Sequence, residues 1–453
     1  MYAAAIVADD LTGSMDTSHG FAARGNRTAV LALPGDLEGT EHPDVDASVI
    51  GVNTDSRYVD RETAIDAVTD AVRRVPAEVV FKKIDSTLRG NVAVEVEAAL
   101  SVAGSDLAVV APAFPAGGRT TEGGIHRVDG TPVAETEYGD DEAGPTDSSI
   151  PAMFADGNRP VMTVGAAIVE DGVDAVHSAF QETIREAAEE TDSEDHAPIV
   201  VCDARTDAEL STIADAAAAF DALYVGSGGL AEHVTVPGSS AETSEDYGVD
   251  GMDTTNDSEE TAVRNDPDPE TSANAPLGVV GSINSTTLGQ LARVPDEAVF
   301  ELDPVATVTG DGNDAIVTDA IERLRGGETT IITAAADPKT VDRTRAAGAE
   351  NGLAESEVRR RVAAELGETA TQITDEVAPS GVFLTGGDIA VAVLRAFEAT
   401  TIRLTGRAVE AGIPIGRLVD GRAAGTLLVT KAGGFGDEAT IVNCLSALAP
   451  TDE

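Results

Sequence analysis

The chain has 453 residues, of which 42% are hydrophobic, which excludes a largely disordered protein and favours two domains. Its 80 acidic and 30 basic residues give a formal net charge of -50, which argues against nucleic acid and anionic membranes as partners. The charge and the presence of only four lysines favour adaptation to a high-salt cytoplasm, where salt screens the self-repulsion.

Two further features favour a cytoplasmic protein without a structural zinc site. No apolar run approaches the roughly 18 residues that a membrane span needs, and the short apolar start lacks the basic residues of a signal peptide. The cysteines, Cys202 and Cys444, are far apart and show no metal-binding spacing, and the histidines form no ligand cluster. The sequence therefore assigns no metal ligands.

Short apolar runs alternate with helical patterns, which predicts α/β structure with mostly parallel sheets. The expected strands, in chain order, are 3–8, 47–52, 79–84, 107–111, 161–164, 199–202, 222–225, 278–281, 298–302, 329–333, 381–384, 401–404 and 426–429. The expected helices include 62–74, 92–100, 207–220, 355–376 and 389–397.

A polar segment at 236–275 divides these elements into two groups. It contains eleven acidic residues, a single base (Arg264) and few large apolar residues, so it cannot bury enough surface to offset the entropy of ordering. We interpret it as a flexible acidic linker between domains at 1–235 and 276–453. In parallel sheets ligands bind beyond the carboxyl ends of the strands, so we expect the active site in a cleft between the domains.

Two acidic residues, Asp9 and Asp10, follow the first predicted strand. Carboxylates at a strand end can orient a substrate hydroxyl, accept its proton or hold a metal, although an Asp here can also simply cap a helix.

Basic residues surround a second motif at the end of the third predicted strand. Lys82 and Lys83 precede Asp85 and Ser86, and Arg89 follows at the start of a predicted helix. Cations beside free backbone N–H groups favour an anion site, and an adjacent lysine pair is unusual in so lysine-poor a chain.

Arg57 and Arg119 follow two further predicted strands. Arginine binds carboxylates through two parallel hydrogen bonds, so together with Arg89 these residues predict an anion-binding cleft in the first domain.

The second domain carries three glycine-rich turns, each directly after a predicted strand. Glycine lets backbone amides approach phosphate oxygens, and a lysine beside it can neutralise their charge, which is the chemistry of nucleotide binding. The candidate residues are Ser282, Gly386, Gly387, Asp388, Ile389, Lys431, Gly433 and Gly434. The chain contains no P-loop motif, no dinucleotide-binding fingerprint and no hydrolase nucleophile elbow.

Taken in order, these motifs resemble the four-carbon acid sugar kinases. The matching segments are ADDLTGSMD, DSR, KKIDSTLRGN, APAFPAGGRTT, GSGGLA, VGSINS, LTGGD and TKAGGFG. The resemblance implies ATP-dependent phosphorylation, with Mg²⁺, of the terminal hydroxyl of a tetronate or 3-oxo-tetronate. It also implies an N-terminal acid-sugar domain and a C-terminal nucleotide domain. Ile389 stands where the family commonly has a small hydroxyl residue.

The resemblance places Asp9, Asp10, Arg57, Lys83, Asp85, Ser86, Arg89 and Arg119 on the sugar side, and the glycine-turn residues on the nucleotide side. We expect the arginines with Lys82 or Lys83 to hold the substrate carboxylate. The catalytic residue that accepts the hydroxyl proton is predicted to be Asp10, with Asp85 as the second choice.

Two alternatives remain at this stage: a kinase of another small polyol or sugar acid, and a non-catalytic two-lobed protein that binds a sugar acid. The retained Lys431 and its glycines argue against the second, because a sensor needs no phosphate site. The sequence does not determine the stereochemistry of the substrate or the oligomeric state, for which a homodimer is one candidate.

Overall fold

The computed structural model describes residues 1–33, 45–190, 197–237, 273–309, 314–334 and 337–450. Most of the predicted linker at 236–275 therefore lies outside the described residues. The strands of the first half are β1 Tyr2–Ala8, β2 Thr28–Leu31, β3 Val49–Asn53, β4 Ala77–Lys83, β5 Leu107–Ala111, β6 Arg119–Glu122, β7 Ile125–Val128, β8 Thr131–Pro132, β9 Val161–Val164, β10 Ile199–Cys202 and β11 Ala222–Gly226. Its helices are α1 Leu11–Ala22, α2 Arg61–Arg74, α3 Val92–Ala103, α4 Ile150–Met153, α5 Ala166–Glu170, α6 Val173–Glu190, α7 Asp207–Ala217 and α8 Gly228–Ala231.

The second half repeats the alternation of strands and helices. Its strands are β12 Leu277–Val280, β13 Val299–Glu301, β14 Thr330–Thr333, β15 Gly381–Thr385, β16 Thr401–Glu410, β17 Ile413–Leu418 and β18 Leu427–Lys431. Its helices are α9 Ser285–Leu291, α10 Pro304–Thr309, α11 Asp314–Arg325, α12 Pro338–Glu350, α13 Glu355–Glu376, α14 Gly387–Ala396 and α15 Thr440–Leu448. None of the helices in the described ranges has the length and hydropathy of a membrane-spanning segment.

The predicted α/β class with mostly parallel strands is confirmed. The predicted strands 107–111, 161–164 and 199–202 and the helix 355–376 begin and end at the expected residues. The strands β2 and β17 were not expected from the sequence. β2 has only four residues, and β17 contains a proline and a glycine, which weaken a strand pattern.

The two halves share one sheet. Fifteen of the described strands form it, in the order β13-β14-β12-β15-β18-β17-β16-β2-β3-β1-β4-β11-β5-β10-β9. Pairing is parallel within each half but antiparallel from β18 through β17 and β16 to β2, so the parallel strands of the halves run in opposite directions. The strands β5 and β11 are almost wholly apolar and fully buried, as expected where helices cover both faces of a parallel sheet.

The twist of the sheet reconciles these opposite directions with a shared cleft. Seven strand-to-strand steps separate β12 from β1. A twist of about 20–25° per step accumulates to roughly 140–175°, which turns the carboxyl ends of both sets of strands towards the same side.

Helix α1 lies at the junction of the halves. Its residues Leu11 and Met15 are buried in one hydrophobic core with Ile402 and Leu404 of β16 and Leu384 of β15. Asp10 caps this helix by accepting a hydrogen bond from the Gly13 amide at 3.0 Å. The face of α1 that carries Asp10 is therefore held beside the second half of the chain.

Candidate functional site

A cleft of about 540 Å³ lies between the two halves. Residues that follow β1, β3 and β4 form one wall, and the turns that follow β12, β15 and β18 form the other. A Cβ atom on Gly387 would lie only 3.8 Å from Oδ2 of Asp10. Arg359 of α13 and Glu142 also join the halves through an ion pair, with 2.7 Å between Nη2 and Oε1.

Most of the sequence-predicted site residues line this cleft: Asp10, Arg57, Lys83, Asp85, Ser86, Arg89, Arg119, Ser282, Gly386, Gly387, Asp388, Ile389, Gly433 and Gly434. The other three, Asp9, Lys82 and Lys431, are buried behind its walls.

Arg57 joins the two carboxylates of the first motif. Its Nε lies 2.7 Å from Asp9 Oδ2 and its Nη2 lies 3.1 Å from Asp9 Oδ1, while Nη2 is 2.8 Å from Asp10 Oδ1. Burial on its own raises the pKa of Asp10, but the charges of Arg57 and Lys83 outweigh burial and hold that pKa below its usual value. Asp10 is therefore an ionised hydrogen-bond acceptor that already has partners.

Asp85 is paired in the same way. Arg89 places Nε 2.6 Å from Asp85 Oδ2 and Nη2 3.1 Å from Oδ1, and Thr87 also donates to this carboxylate. Burial opposes ionisation here too, but Arg89 and Arg57 hold the pKa of Asp85 well below its usual value. Both predicted candidates for the proton acceptor are thus ion-paired, which makes them weak bases.

The two adjacent lysines have different surroundings. Lys82 is fully buried, and its ammonium lies 2.9 Å from Glu95 Oε2 and 2.6 Å from the carbonyl oxygen of Lys83. Lys83 points into the cleft, where its ammonium would meet a Cβ atom on Gly13 at 2.8 Å. Successive side chains of a strand point to opposite faces of the sheet. Lys82 therefore points towards Glu95, which pairs with it, and Lys83 points into the cleft.

Arg119 combines a packed guanidinium with one unused donor. Its Nη2 donates to the Tyr138 hydroxyl at 3.2 Å, and Nη1 donates to the carbonyl of Gly117. Its Nε is buried and has no hydrogen-bond partner among the described residues. A buried donor without a partner costs free energy, so this N–H is suited to an incoming acceptor.

Only two of the cations that line the cleft lack a carboxylate partner within the described ranges. Arg57 and Arg89 pair with Asp9, Asp10 and Asp85, Arg345 pairs with Glu355, and Arg359 pairs with Glu142. The two cations without such a partner are Lys83 and Arg119.

The opposite wall is built from the glycine turns. Gly386 has φ of 99°, a conformation that favours glycine, and α14 begins at the next residue. The first N–H groups of a helix have no partner within it, and those of Gly387, Asp388 and Ile389 occupy this position beside the cleft.

Lys431 supports the neighbouring turn from behind. Its ammonium donates to the carbonyls of Ala432 at 2.9 Å, Gly433 at 3.2 Å and Phe435 at 3.3 Å, and to the Thr287 hydroxyl at 3.2 Å. These contacts fix the shape of the turn that presents Gly433 and Gly434 to the cleft. In this structure Lys431 orders the turn and does not line the cavity.

One end of the cleft is apolar. The side chains that line it there come from α10, α12, α13, α14 and the end of β14: Pro304, Ala334, Val341, Val358, Val362, Ile389 and Val391. Such a surface can stack against a flat ring system.

Asp16 and Asp55 are acidic residues of the cleft that were not singled out from the sequence. Asp55 and Asp388 repel each other, and burial together with this repulsion raises the pKa of Asp55. Asp16 lies on α1 beyond Asp10. Asp16 ends the ADDLTGSMD segment, and Asp55 stands two residues before Arg57. Their place in these motifs was the only sign in the sequence that either residue belongs to the site. Their exposure to a shared cleft depends on contacts between distant segments.

Two family models match this chain, one in each half. A family model described as a sugar-binding N-terminal domain matches residues 4–234, and one described as a nucleotide-binding C-terminal domain matches residues 277–441. D-threonate kinase of Salmonella typhimurium is 32% identical over 97% of this chain and 97% of its own length. D-erythronate kinase of Heliobacterium modesticaldum is 31% identical over 98% of this chain and 96% of its own length.

The fold also has a counterpart among solved structures. A crystal structure of a Salmonella typhimurium LT2 protein superposes with a TM-score of 0.73, covering 97% of this chain and 98% of that chain at 20% identity. At this identity the likeness establishes the fold alone.

Proposed function

The chain belongs to the four-carbon acid sugar kinases, and we propose that it transfers the γ-phosphoryl group of ATP to the terminal hydroxyl of a tetronate or 3-oxo-tetronate whose carboxylate binds Lys83 and Arg119. The observation that supports this binding mode is that Lys83 and Arg119 have no carboxylate partner among the described residues, whereas the other cations of the cleft are paired. An unpaired buried cation is costly, and a bound carboxylate relieves that cost.

The paired residues arrange this anion site. Arg57 and Arg89 hold Asp10 and Asp85 at fixed positions, so these carboxylates can accept hydrogen bonds from the hydroxyl groups of the acid. Ser86, also in the cleft, adds a hydroxyl. We assign Asp9 and Lys82 to the support of this wall, because both are buried behind it.

The glycine wall is assigned to ATP. The amides at the start of α14 and the turn at Gly433 and Gly434 suit the phosphates, because they approach without side chains in the way. The apolar end of the cleft suits the adenine ring. Ser282 lies between the two turns, where a Cβ atom on Gly433 would come within 2.4 Å of its hydroxyl.

A magnesium ion fits the carboxylates beside the glycine wall. Mg²⁺ is usually held by one or two carboxylates together with phosphate oxygens and water, and the described residues contain no cluster of three or more ligating side chains. Asp388 and Asp55 both line the cleft, the charge of Asp388 acts on Asp55, and burial raises the pKa of both. When bound, the ion would neutralise charge on the transferred phosphoryl group.

Phosphoryl transfer depends mainly on positioning and charge stabilisation, and the arrangement provides both. The acid lies on one wall and the nucleotide on the other, so the cleft brings the hydroxyl and the γ-phosphorus together and excludes water between them. We place this reaction in a salt-rich cytoplasm, on the basis of the net charge of -50.

The proposal is tested by measuring ADP release with Mg-ATP in molar KCl across four-carbon sugar acids and the matched neutral tetritols. We expect turnover with at least one acid and none with its neutral counterpart. Equal turnover of an acid and its tetritol contradicts the carboxylate site. No turnover by folded protein with any four-carbon acid contradicts the proposed substrate class.

A further inference from the structure

We propose that Asp16, and not Asp10 or Asp85, accepts the proton of the hydroxyl that is phosphorylated. This inference rests on the proposed function and adds a catalytic residue to it. It follows from the position of Asp16 in the cleft, from the absence of hydrogen bonds and ion pairs to its carboxylate among the described residues, and from the arginine contacts of the competing carboxylates.

Asp16 shares one face of the α1 segment with Asp10 and Gly13, because residues three apart are neighbours on a helix. The missing side chain of Gly13 leaves room for the Lys83 ammonium beside this face. Lys83 is also the cation whose charge acts on the Asp16 carboxylate. Asp16 therefore lies beside the cation that we assign to the substrate carboxylate.

Asp16 also reaches the nucleotide wall. A Cβ atom on Gly412, in the turn between β16 and β17, would lie 3.6 Å from its Oδ1 and 2.6 Å from the Phe435 ring, next to the Gly433–Gly434 turn. A Cβ atom on Gly228 would lie 2.8 Å from Oδ2. The absence of side chains at Gly228 and Gly412 leaves the carboxylate open to the cavity where the two substrates meet.

The carboxylate of Asp16 has no hydrogen bond or ion pair within the described part of the chain. Asp9, Asp10 and Asp85 each accept at least one charge-assisted hydrogen bond from arginine. A general base needs a free lone pair within reach of the proton and an affinity for that proton near the working pH. Among these acidic residues, Asp16 alone meets the first condition.

Its surroundings also meet the second condition. Burial raises the pKa of Asp16 to about 6, Lys83 on β4 opposes this increase, and Glu232 after α8 and Asp10 add to it. Asp55 and Asp388 also have raised pKa values, but the charged neighbours of Asp55 are Asp388, Asp10 and arginines, and those of Asp388 are arginines, Asp10 and Glu142, not Lys83. They therefore belong with the nucleotide and its metal.

The step is a proton-coupled displacement. The hydroxyl oxygen forms a bond to the γ-phosphorus, the bond from that phosphorus to the β–γ bridging oxygen breaks, and its electron pair leaves with ADP. The hydroxyl proton passes to Asp16, which releases it to water after the product leaves. Atoms and charge balance without any further reactant.

The test compares D16N, D10N and the surface control D66N in the ADP-release assay between pH 5 and 8. General base catalysis contributes about 10²–10⁴-fold, so we expect kcat of D16N to fall at least 100-fold. The KM for the acid and the Kd for ADP, measured by calorimetry, should change less than about threefold. Wild type and D66N should lose kcat below a midpoint near 6, the pKa of Asp16.

A second variant, E232Q, tests whether the pH dependence of kcat reports the ionisation of Asp16, which a purely structural role of Asp16 would not predict. Removing the like charge with E232Q should lower the pKa of Asp16, so the acid limb of the kcat profile should move to lower pH with the plateau unchanged. ADP binding by D16N verifies that it is folded.

Three outcomes overturn the inference. The first is that D16N keeps more than a tenth of wild-type kcat. The second is that D16N raises the Mg²⁺ concentration required for half-maximal activity more than tenfold, which would make Asp16 a metal ligand. An acid limb unaffected by E232Q also contradicts it. If wild type phosphorylates no four-carbon acid, the proposed function itself fails, which the wild-type arm alone reveals.

Discussion

The Lys82 ammonium lies 2.9 Å from Glu95 Oε2, and the two side chains are 0% and 2% exposed. Glu95 Oε1 accepts a hydrogen bond from the Ser56 hydroxyl at 2.6 Å, so the pair connects β4, α3 and the loop that carries Arg57. This connection supports, from behind, the wall of the cleft that carries Arg57 and Lys83, although neither charge of the pair lines the cleft.

Replacing Lys82 with methionine should destabilise the protein without a specific effect on the acid. Removing one partner of a buried ion pair costs about 3–5 kcal/mol, because the remaining charge is left buried and unpaired. We expect this loss in the free energy of unfolding from urea titration, and K82M/E95L should recover much of it. A loss below about 1 kcal/mol in K82M would show that the pair does not support the wall.

Replacing the adjacent Lys83 with methionine should have the opposite effects: little change in stability and a large increase in KM for the acid. Lys83 has no ion-pair partner among the described side chains, so K83M should change the free energy of unfolding by less than about 1 kcal/mol. Losing a charge partner of a buried carboxylate costs about 2–5 kcal/mol, so KM for the acid should rise at least about 30-fold. An unchanged KM would place the carboxylate elsewhere.

Gly433 provides a test of the phosphate turn with a neighbouring control. A Cβ atom at Gly433 would lie 2.4 Å from the Ser282 hydroxyl, whereas one at Gly434 would find its nearest neighbour, the Tyr138 hydroxyl, at 3.5 Å. We expect G433A to weaken ADP binding at least about tenfold in calorimetry, because the turn must shift. G434A should weaken it less. Equal losses of ADP affinity in G433A and G434A would mean that the bound nucleotide, and not Ser282, limits the space for a side chain in this turn.

Asp388 offers a test of the metal. Burial raises the pKa of Asp388, while Arg359 and Arg57 oppose that increase. We expect D388N to raise, by at least about tenfold, the Mg²⁺ concentration that half-saturates the magnesium-dependent gain in ADP affinity. Binding of ADP without the metal should be nearly unchanged. If D388N shows the same magnesium dependence as wild type, another residue holds the ion.

Salt should stabilise the fold through screening. With a net charge of -50, the folded chain repels itself, and the Debye length falls from about 10 Å at 0.1 M salt to about 3 Å at 1 M. We therefore expect Tm, measured by scanning calorimetry, to rise continuously from 0.1 to 2 M KCl. An uncharged osmolyte of equal osmolality is the control. A Tm that does not depend on KCl would contradict adaptation to high salt.

Local sequence determined most of the secondary structure and the chemical types at the site. A buried strand followed by a glycine turn and a helix is a local pattern, so residues 107–111 and the turn at Gly386 could be identified without contacts. The same holds for the cationic motif around Lys83, since its residues lie within a few positions of each other. The family resemblance depended on these local motifs in order.

Tertiary structure alone decided which of these residues are available to a ligand. Lys82 and Lys83 are identical in type and adjacent, but Glu95 on α3 reaches only the first of them. Asp10 and Asp16 lie on one helix face, but Arg57, 47 residues from Asp10, pairs with only the first. Availability depends on side chains that the fold brings together from distant segments, and no local pattern contains that information.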